Sequence, residues 1–351
     1  MPHMRRCRNR FALCLVFAAV PALVLAQGRG RAGGGGGGQG QGGPAGSFRE
    51  VAVTAIPGVV AAGSKWTLAW QGTDNADGIV AAPDGGLLFS QEQPNRISKL
   101  DRNDKLSSFV ENTRGAGSIS FDAKGRIIAA QRTCTDPGWR GDPCTTPAAI
   151  GVIAPEGERR VIAENVDGKS IGRPNDLIVS KQGSIYFTSG GAFRISPSGE
   201  VSAIGQDLRT NGIMLSPDEK TLYITNGPVV VAFDVQPDGT VTNQRDFAKL
   251  EAGGNGDGLA IDATGRLYVT SMASGVQVFA PDGKYLGQIP TPRSVISVAF
   301  AGPDKKTLYV VGSGAFGPDG AEFATPPGVR NNAKSIYKLP MIAQGFTGRA
   351  K

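Results

Sequence analysis

Asp77, Asn175, Asn211 and Asp257 each head a repeated segment: an acidic or amide residue, an apolar run, a short turn, then a second run rich in β-branched and aromatic residues. The plainest copy is GDGLAIDATGRLYVTS at 256–271, and several copies close the second run with Ser or Thr. Two carboxylates and two amide oxygens, without imidazole or thiolate, are hard ligands. They suit Ca²⁺ best, Mg²⁺ and Mn²⁺ next and Zn²⁺ last. Taken singly, an Asn or Asp before Gly or an apolar strand is a turn residue bonding its own backbone. Four at one repeat position point to a shared site, if the fold brings those positions together.

The rest of the chain removes competing chemistry. Residues 1–26 read as a secretory signal: an Arg-rich start, an apolar run from Phe11 to Ala26, and Val24 and Ala26 at the small-residue positions before a cut at Gln27. The run is short for a bilayer span and is broken by Pro21, so stable membrane insertion after cleavage is not expected. Cleavage removes His3, the one histidine, and with it Ser-His-Asp, Cys-His and imidazole-zinc sites. It also leaves two cysteines, Cys134 and Cys144, which read as a disulfide around a Pro/Gly loop in an exported protein, periplasmic or extracellular. The formal charge of +7 sits mostly at Arg5, Arg6, Arg8, Arg10, Arg29 and Arg31, with no acid before Glu50. The remainder is nearly neutral, which argues against a nucleic-acid partner.

The elements that must position the four residues follow from the repeat. Its second run occurs six times, aligned on Leu88, Ile128, Tyr186, Tyr223, Tyr268 and Tyr309. Spacings of 40, 58, 37, 45 and 41 residues, the one long gap holding the cysteine loop, with strand signals and no long amphipathic helix, predict an all-β, six-bladed β-propeller. A pair of packed sheets is the alternative, but it leaves the spacing unexplained. The domain expected is 48–345, after a flexible Gly-rich linker at 27–47. The last repeat lacks a full set of strands, so an N-terminal strand should close the ring, with Phe48 to Thr54 the candidate. Counting back eleven or twelve residues from the aligned position gives Asp77, Gly117, Asn175, Asn211, Asp257 and Ser297, all converging on one mouth of the channel.

The segments GRPNDLIVSKQGSIYFTSGG (172–191), TNGIMLSPDEKTLYITNG (210–227), GDGLAIDATGRLYVTS (256–271) and VAFAGPDKKTLYVVGS (298–313) resemble, in this order, the senescence-marker-protein/gluconolactonase (regucalcin-like) family. The resemblance runs from about Asp77 to Gly314. It implies a six-bladed propeller with a divalent metal in its channel and, in many members, hydrolysis of sugar lactones. Carried over by position, it makes Asn211 and Asp257 metal ligands and Asp257 the acid/base. It sets Asn175 beside metal and substrate, and Arg173 near a substrate-touching position. Where the family has a ligand glutamate in a Glu-Gly-Pro motif, this chain has Asp77-Gly-Ile, one methylene shorter, so the metal would sit closer to blade one or be reached through water. Gly117 replaces an asparagine often found in relatives, and Gln91, Ser189 and Asn226 stand where an aspartate often follows the inner-strand pair.

The chemistry so implied is metal-assisted opening of a sugar lactone or related cyclic ester, with Asp257 orienting or deprotonating the water. Arg132, Arg173, Asn226 and Arg293 are candidate wall residues. The alternative is a propeller that binds a small ligand or partner protein, its metal structural or absent, because the fold hosts many functions. A strictosidine-synthase-like propeller has only the blade count in its favour.

Overall fold

The computed structural model describes residues 47–132, 146–273, 275–349 and 351. The expected signal, all but the last residue of the expected linker, and both Cys134 and Cys144 lie outside them. Six four-stranded antiparallel sheets form the blades of a β-propeller. Blade one begins with the inner strand Ile79–Ala81, blade two with Ala116–Phe121, blade three with Leu177–Val179, blade four with Thr210–Leu215 and blade five with Gly256–Ile261. In each of these five, the next three strands follow outward in chain order.

The inner two strands pair in the register expected from the repeat: Val80 with Leu88, Ile178 with Tyr186, Met214 with Tyr223 and Ala260 with Tyr268. Each leading residue thus lies three positions before its paired residue. In blade six Ala299 pairs with Tyr309, so Ser297 stands two positions ahead rather than three.

Blade six consists of Val295–Ala301, Thr307–Ser313, Lys334–Pro340 and, outermost, Thr67–Gly72. The segment joining this sheet from the N-terminal side is therefore Thr67–Gly72, not Phe48–Thr54. Both stretches mix apolar and polar residues, but Trp70 packs against Phe89 of blade one with tilted rings, centroids 4.9 Å apart. The earlier segment instead crosses the blade ends: Arg49 N–H donates to the Pro292 carbonyl at 2.9 Å, and Val53 is buried among Val276, Leu339 and Met341.

Apolar clusters fill the seams between blades. Val80, Leu88 and Ile97 of blade one meet Ile119 and Ile127 of blade two, and Ile150 and Val152 of blade two share a cluster with Leu177 and Phe187 of blade three. Each fully buried aliphatic or Phe side chain contributes roughly 1.5–3 kcal/mol. Stability therefore resides between sheets, and the inner strands are pressed together around the axis.

Candidate metal centre in the central channel

In blades one, four and five neighbouring inner strands approach so closely that the residue after the leading position has little room. A Cβ on Gly212 would lie 2.2 Å from the Asp257 carbonyl oxygen, one on Gly258 2.8 Å from that of Ile296, and one on Gly78 2.7 Å from Ser118 Cα. The Asp-Gly and Asn-Gly pairs of the repeat are thus needed for close approach. In blades four and five the pair also forms a bulge, since pairing steps from Thr210–Asn226 to Ile213–Ile224 and from Gly256–Ser271 to Leu259–Val269. Such bulges re-aim side chains at barrel and propeller mouths.

Hydroxyls near the end of the second run stitch blades one, three, four and five to the blade that follows. Ser90 Oγ donates to the Gly117 carbonyl at 2.6 Å, Thr188 Oγ1 to Asn211 at 2.6 Å, Thr225 Oγ1 to Asp257 at 3.2 Å and Thr270 Oγ1 to Ile296 at 2.9 Å. The Ser/Thr ending of the repeat therefore fixes the backbone beside the leading residues.

Those residues meet. Asp77, Asn175, Asn211 and Asp257, with Arg132 and Asp176, line a cavity of about 20 Å³, room for one water molecule or one cation. Asn175 Nδ2 donates to Asn211 Oδ1. Arg132 Nη1 donates to Asp77 Oδ2 at 2.6 Å and its Nη2 to Asn175 Oδ1 at 2.6 Å. Ser297, out of step in register, still reaches the site, its Oγ donating to Asp77 Oδ1 at 3.3 Å. Gly117 presents only backbone.

Asp176, beside Asn175, was not among the sequence candidates. Its Oδ1 accepts from Ser118 Oγ at 2.6 Å and from Lys351 Nζ, and its Oδ2 from the Ile213 N–H at 3.1 Å. The signal lay in the repeat column after the leading residue, where Gly78, Gly212 and Gly258 give way to Ser118, Asp176 and Val298, and only Asp176 is charged. The remaining candidates sit elsewhere. Arg173 is engaged by Glu92, with both carboxylate oxygens 2.8 Å from its Nη2. Arg293 pairs with Glu322 and lies over the Phe316 ring, and Asn226 Oδ1 accepts from the Arg209 N–H.

Burial above all, then the charges of Asp77 and Asp176, push the Asp257 carboxyl well above the usual carboxylate range, against the pull of Arg132 and a hydrogen bond from Asn211. Among the described residues Asp257 is in no ion pair, whereas Asp77 and Asp176 both are. Among the described residues, no three His, Cys, Asp or Glu side chains come together as a metal set. The donor set nonetheless fits a hard divalent cation: Asn175 and Asn211 carbonyl oxygens, each with a second lone pair, beside one uncompensated carboxylate.

A pH effect follows. Below about pH 4 Asp257 is protonated both folded and unfolded. As pH rises the unfolded state releases that proton first, so in chelator the stability contributed by this group falls until its raised folded pKa is passed. Urea midpoints measured in chelator should show that fall in the wild type relative to Asp257→Asn, and added Ca²⁺ should remove the difference.

Residues 75–314, more than half of the chain, match the model of the SMP-30/gluconolactonase/LRE-like region. The chain belongs to this family. Among SMP-30/gluconolactonase relatives, a gluconolactonase of Zymomonas mobilis is 34% identical over 187 residues, 44% of this chain and 52% of that protein. The alignment thus spans about half of that relative's length. A solved gluconolactonase of Xanthomonas campestris is 23% identical with a TM-score of 0.66, covering 85% of this chain and 98% of that one. The calcium-binding protein regucalcin of Agrobacterium tumefaciens is 16% identical with a TM-score of 0.60, covering 77% and 91%. These two establish the shared propeller fold.

Proposed function

We propose that this SMP-30/gluconolactonase family member is a metal-dependent hydrolase of sugar lactones or related cyclic esters. The observation that carries the reading is the convergence of Asn175, Asn211 and an uncompensated, buried Asp257 on a cavity of about 20 Å³ in the channel of a gluconolactonase-like fold. Oxygens of those three residues would hold the cation. Bound there, it supplies Lewis-acid polarisation of the ester carbonyl and stabilises the oxyanion.

The chain's own groups supply the rest. Asp257, made more basic by burial and like charges, accepts a proton from the attacking water and returns it to the ring oxygen as the C–O bond breaks, giving the open hydroxy acid. Asn175, held by Arg132 and by Asn211, orients the substrate's oxygens. Calcium is favoured by the all-oxygen donors, and the calcium-binding regucalcin of the same fold supports that choice. On the reading of residues 1–26 as a secretory signal, the enzyme acts outside the cytoplasm.

The test is elemental analysis of the purified chain together with an aldonolactone screen, with and without chelator. Hydrolysis lost on chelation supports the reading. A metal-free protein that hydrolyses no lactone would instead point to a binding module.

A further inference from the structure

Blade two carries two features that belong together. Gly117 stands at the leading position, and Arg132 follows the blade's second strand Ile127–Gln131. A Cβ on Gly117 would lie 1.9 Å from Arg132 Cζ and 2.1 Å from its Nε. Any other residue at 117 would displace the guanidinium, so the missing side chain is the hollow that the arginine fills.

The guanidinium is a built part of the channel. Arg132 is 3% exposed. Besides Asp77 and Asn175 Oδ1, it donates to the Asn175 carbonyl at 2.5 Å, the Pro174 carbonyl at 2.8 Å and Glu92 Oε2 at 3.3 Å. It thereby ties blade one to blade three across blade two. Asp77 has both oxygens engaged, Oδ2 by Arg132 and Oδ1 by Ser297. For Asp77 to turn toward a cation it would have to leave a buried partner, and the guanidinium would then face a dication in a low-dielectric site.

We propose that Arg132 acts as a resident cation of the channel, holding Asp77 out of the coordination sphere so that a divalent ion is bound from blades three, four and five alone. Arg132 is a positioning residue in this arrangement, and the aspartate at the first-blade position serves as its counter-ion. The proposal rests on the cation site put forward above, but the ion pair can be tested without metal.

The experiment uses the full chain and four variants: Asp77→Asn, Arg132→Met, their double, and Asp257→Asn. In chelator, urea midpoints for the first three form a double-mutant cycle, which reads the pair alone. The double variant should be no less stable than the weaker single variant. Calorimetric titration with Ca²⁺ then reads the ligand set. Asp77→Asn should weaken Ca²⁺ binding by less than about tenfold, the effect of leaving Arg132 short of a counter-ion and not of losing a ligand. Asp257→Asn should weaken binding by at least about 100-fold, as expected when the charged oxygen ligand is lost. Arg132→Met should tighten binding, because Asp77 becomes available, and the double variant should lose that gain.

Additive destabilisation in the cycle would overturn the pair. Asp77→Asn weakening Ca²⁺ as strongly as Asp257→Asn would overturn its exclusion from the site. A wild type that takes up neither Ca²⁺ nor Mn²⁺ overturns the cation reading and the coordination half of this proposal, while the cycle still decides the pair. Should Arg132→Met not fold, Asp77→Asn decides the question, its Ca²⁺ affinity being set against that of Asp257→Asn in the same titration.

Discussion

Asp257→Asn is expected to lower lactone turnover by about 10³-fold, within the range for removing a general base from a buried site. Asparagine keeps the size of the side chain and a carbonyl oxygen, so blade five should remain intact. What it loses is the one channel carboxylate that, among the described residues, is in no ion pair, and with it the proton acceptor. The separation of kcat from KM is informative. Loss of the base alone lowers kcat at little change in KM, whereas loss of bound cation is partly offset by raising Ca²⁺. Retention of wild-type kcat/KM in chelated Asp257→Asn would remove Asp257 from the chemistry.

Gly212→Ala should damage both the fold and the site. Its Cβ would meet the Asp257 carbonyl oxygen at 2.2 Å and the carbonyl carbon at 3.1 Å, both backbone atoms that no rotamer change can move. Over-packing of this kind costs about 3 kcal/mol. Relief requires the start of blade five to shift, carrying Asp257 with it, and a displacement near 1 Å can cost about 10²-fold in rate. Urea unfolding and kcat/KM should therefore fall together. Gly157→Ala is the control: nothing lies within 4 Å of its Cβ, and its φ is not in the left-handed region. Its stability should stay within about 0.5 kcal/mol of the wild type. A Gly212→Ala protein as stable and active as that control would mean that the strands do not approach as described.

Much of this arrangement was legible in the sequence because it is periodic. The aligned tyrosines of blades three, four and five do pair three residues after Asn175, Asn211 and Asp257, since side-chain alternation and short turns fix the register of adjacent strands. The donor types at that shared position already pointed to a hard cation, and the resemblance of segments 172–191 and 256–271 to the family added the base. Features set by contacts between blades were harder to read. Arg132 reaches Asp77 across 55 positions, and nothing local marks an arginine after a strand as one that turns into the channel. Gly117 looked like a lost side chain, and only the guanidinium beside it shows what the space holds. Lys351, beyond the expected end of the propeller domain, arrives at Asp176 from the last segment of the chain. The outermost strand of blade six was misplaced for a related reason. An edge strand is only half buried, so the pattern of 48–54 resembles that of Thr67–Gly72, and the choice falls to tertiary contacts such as Trp70 on Phe89.

The most direct measurement of the central claim is the initial rate of D-glucono-1,5-lactone ring opening, followed by acid release, for the chelated protein before and after Ca²⁺ is restored. The account predicts a rate near the uncatalysed background in chelator, recovery on adding Ca²⁺, and no recovery for Asp257→Asn. Hydrolysis that is undiminished by chelation and equally fast in Asp257→Asn would contradict it.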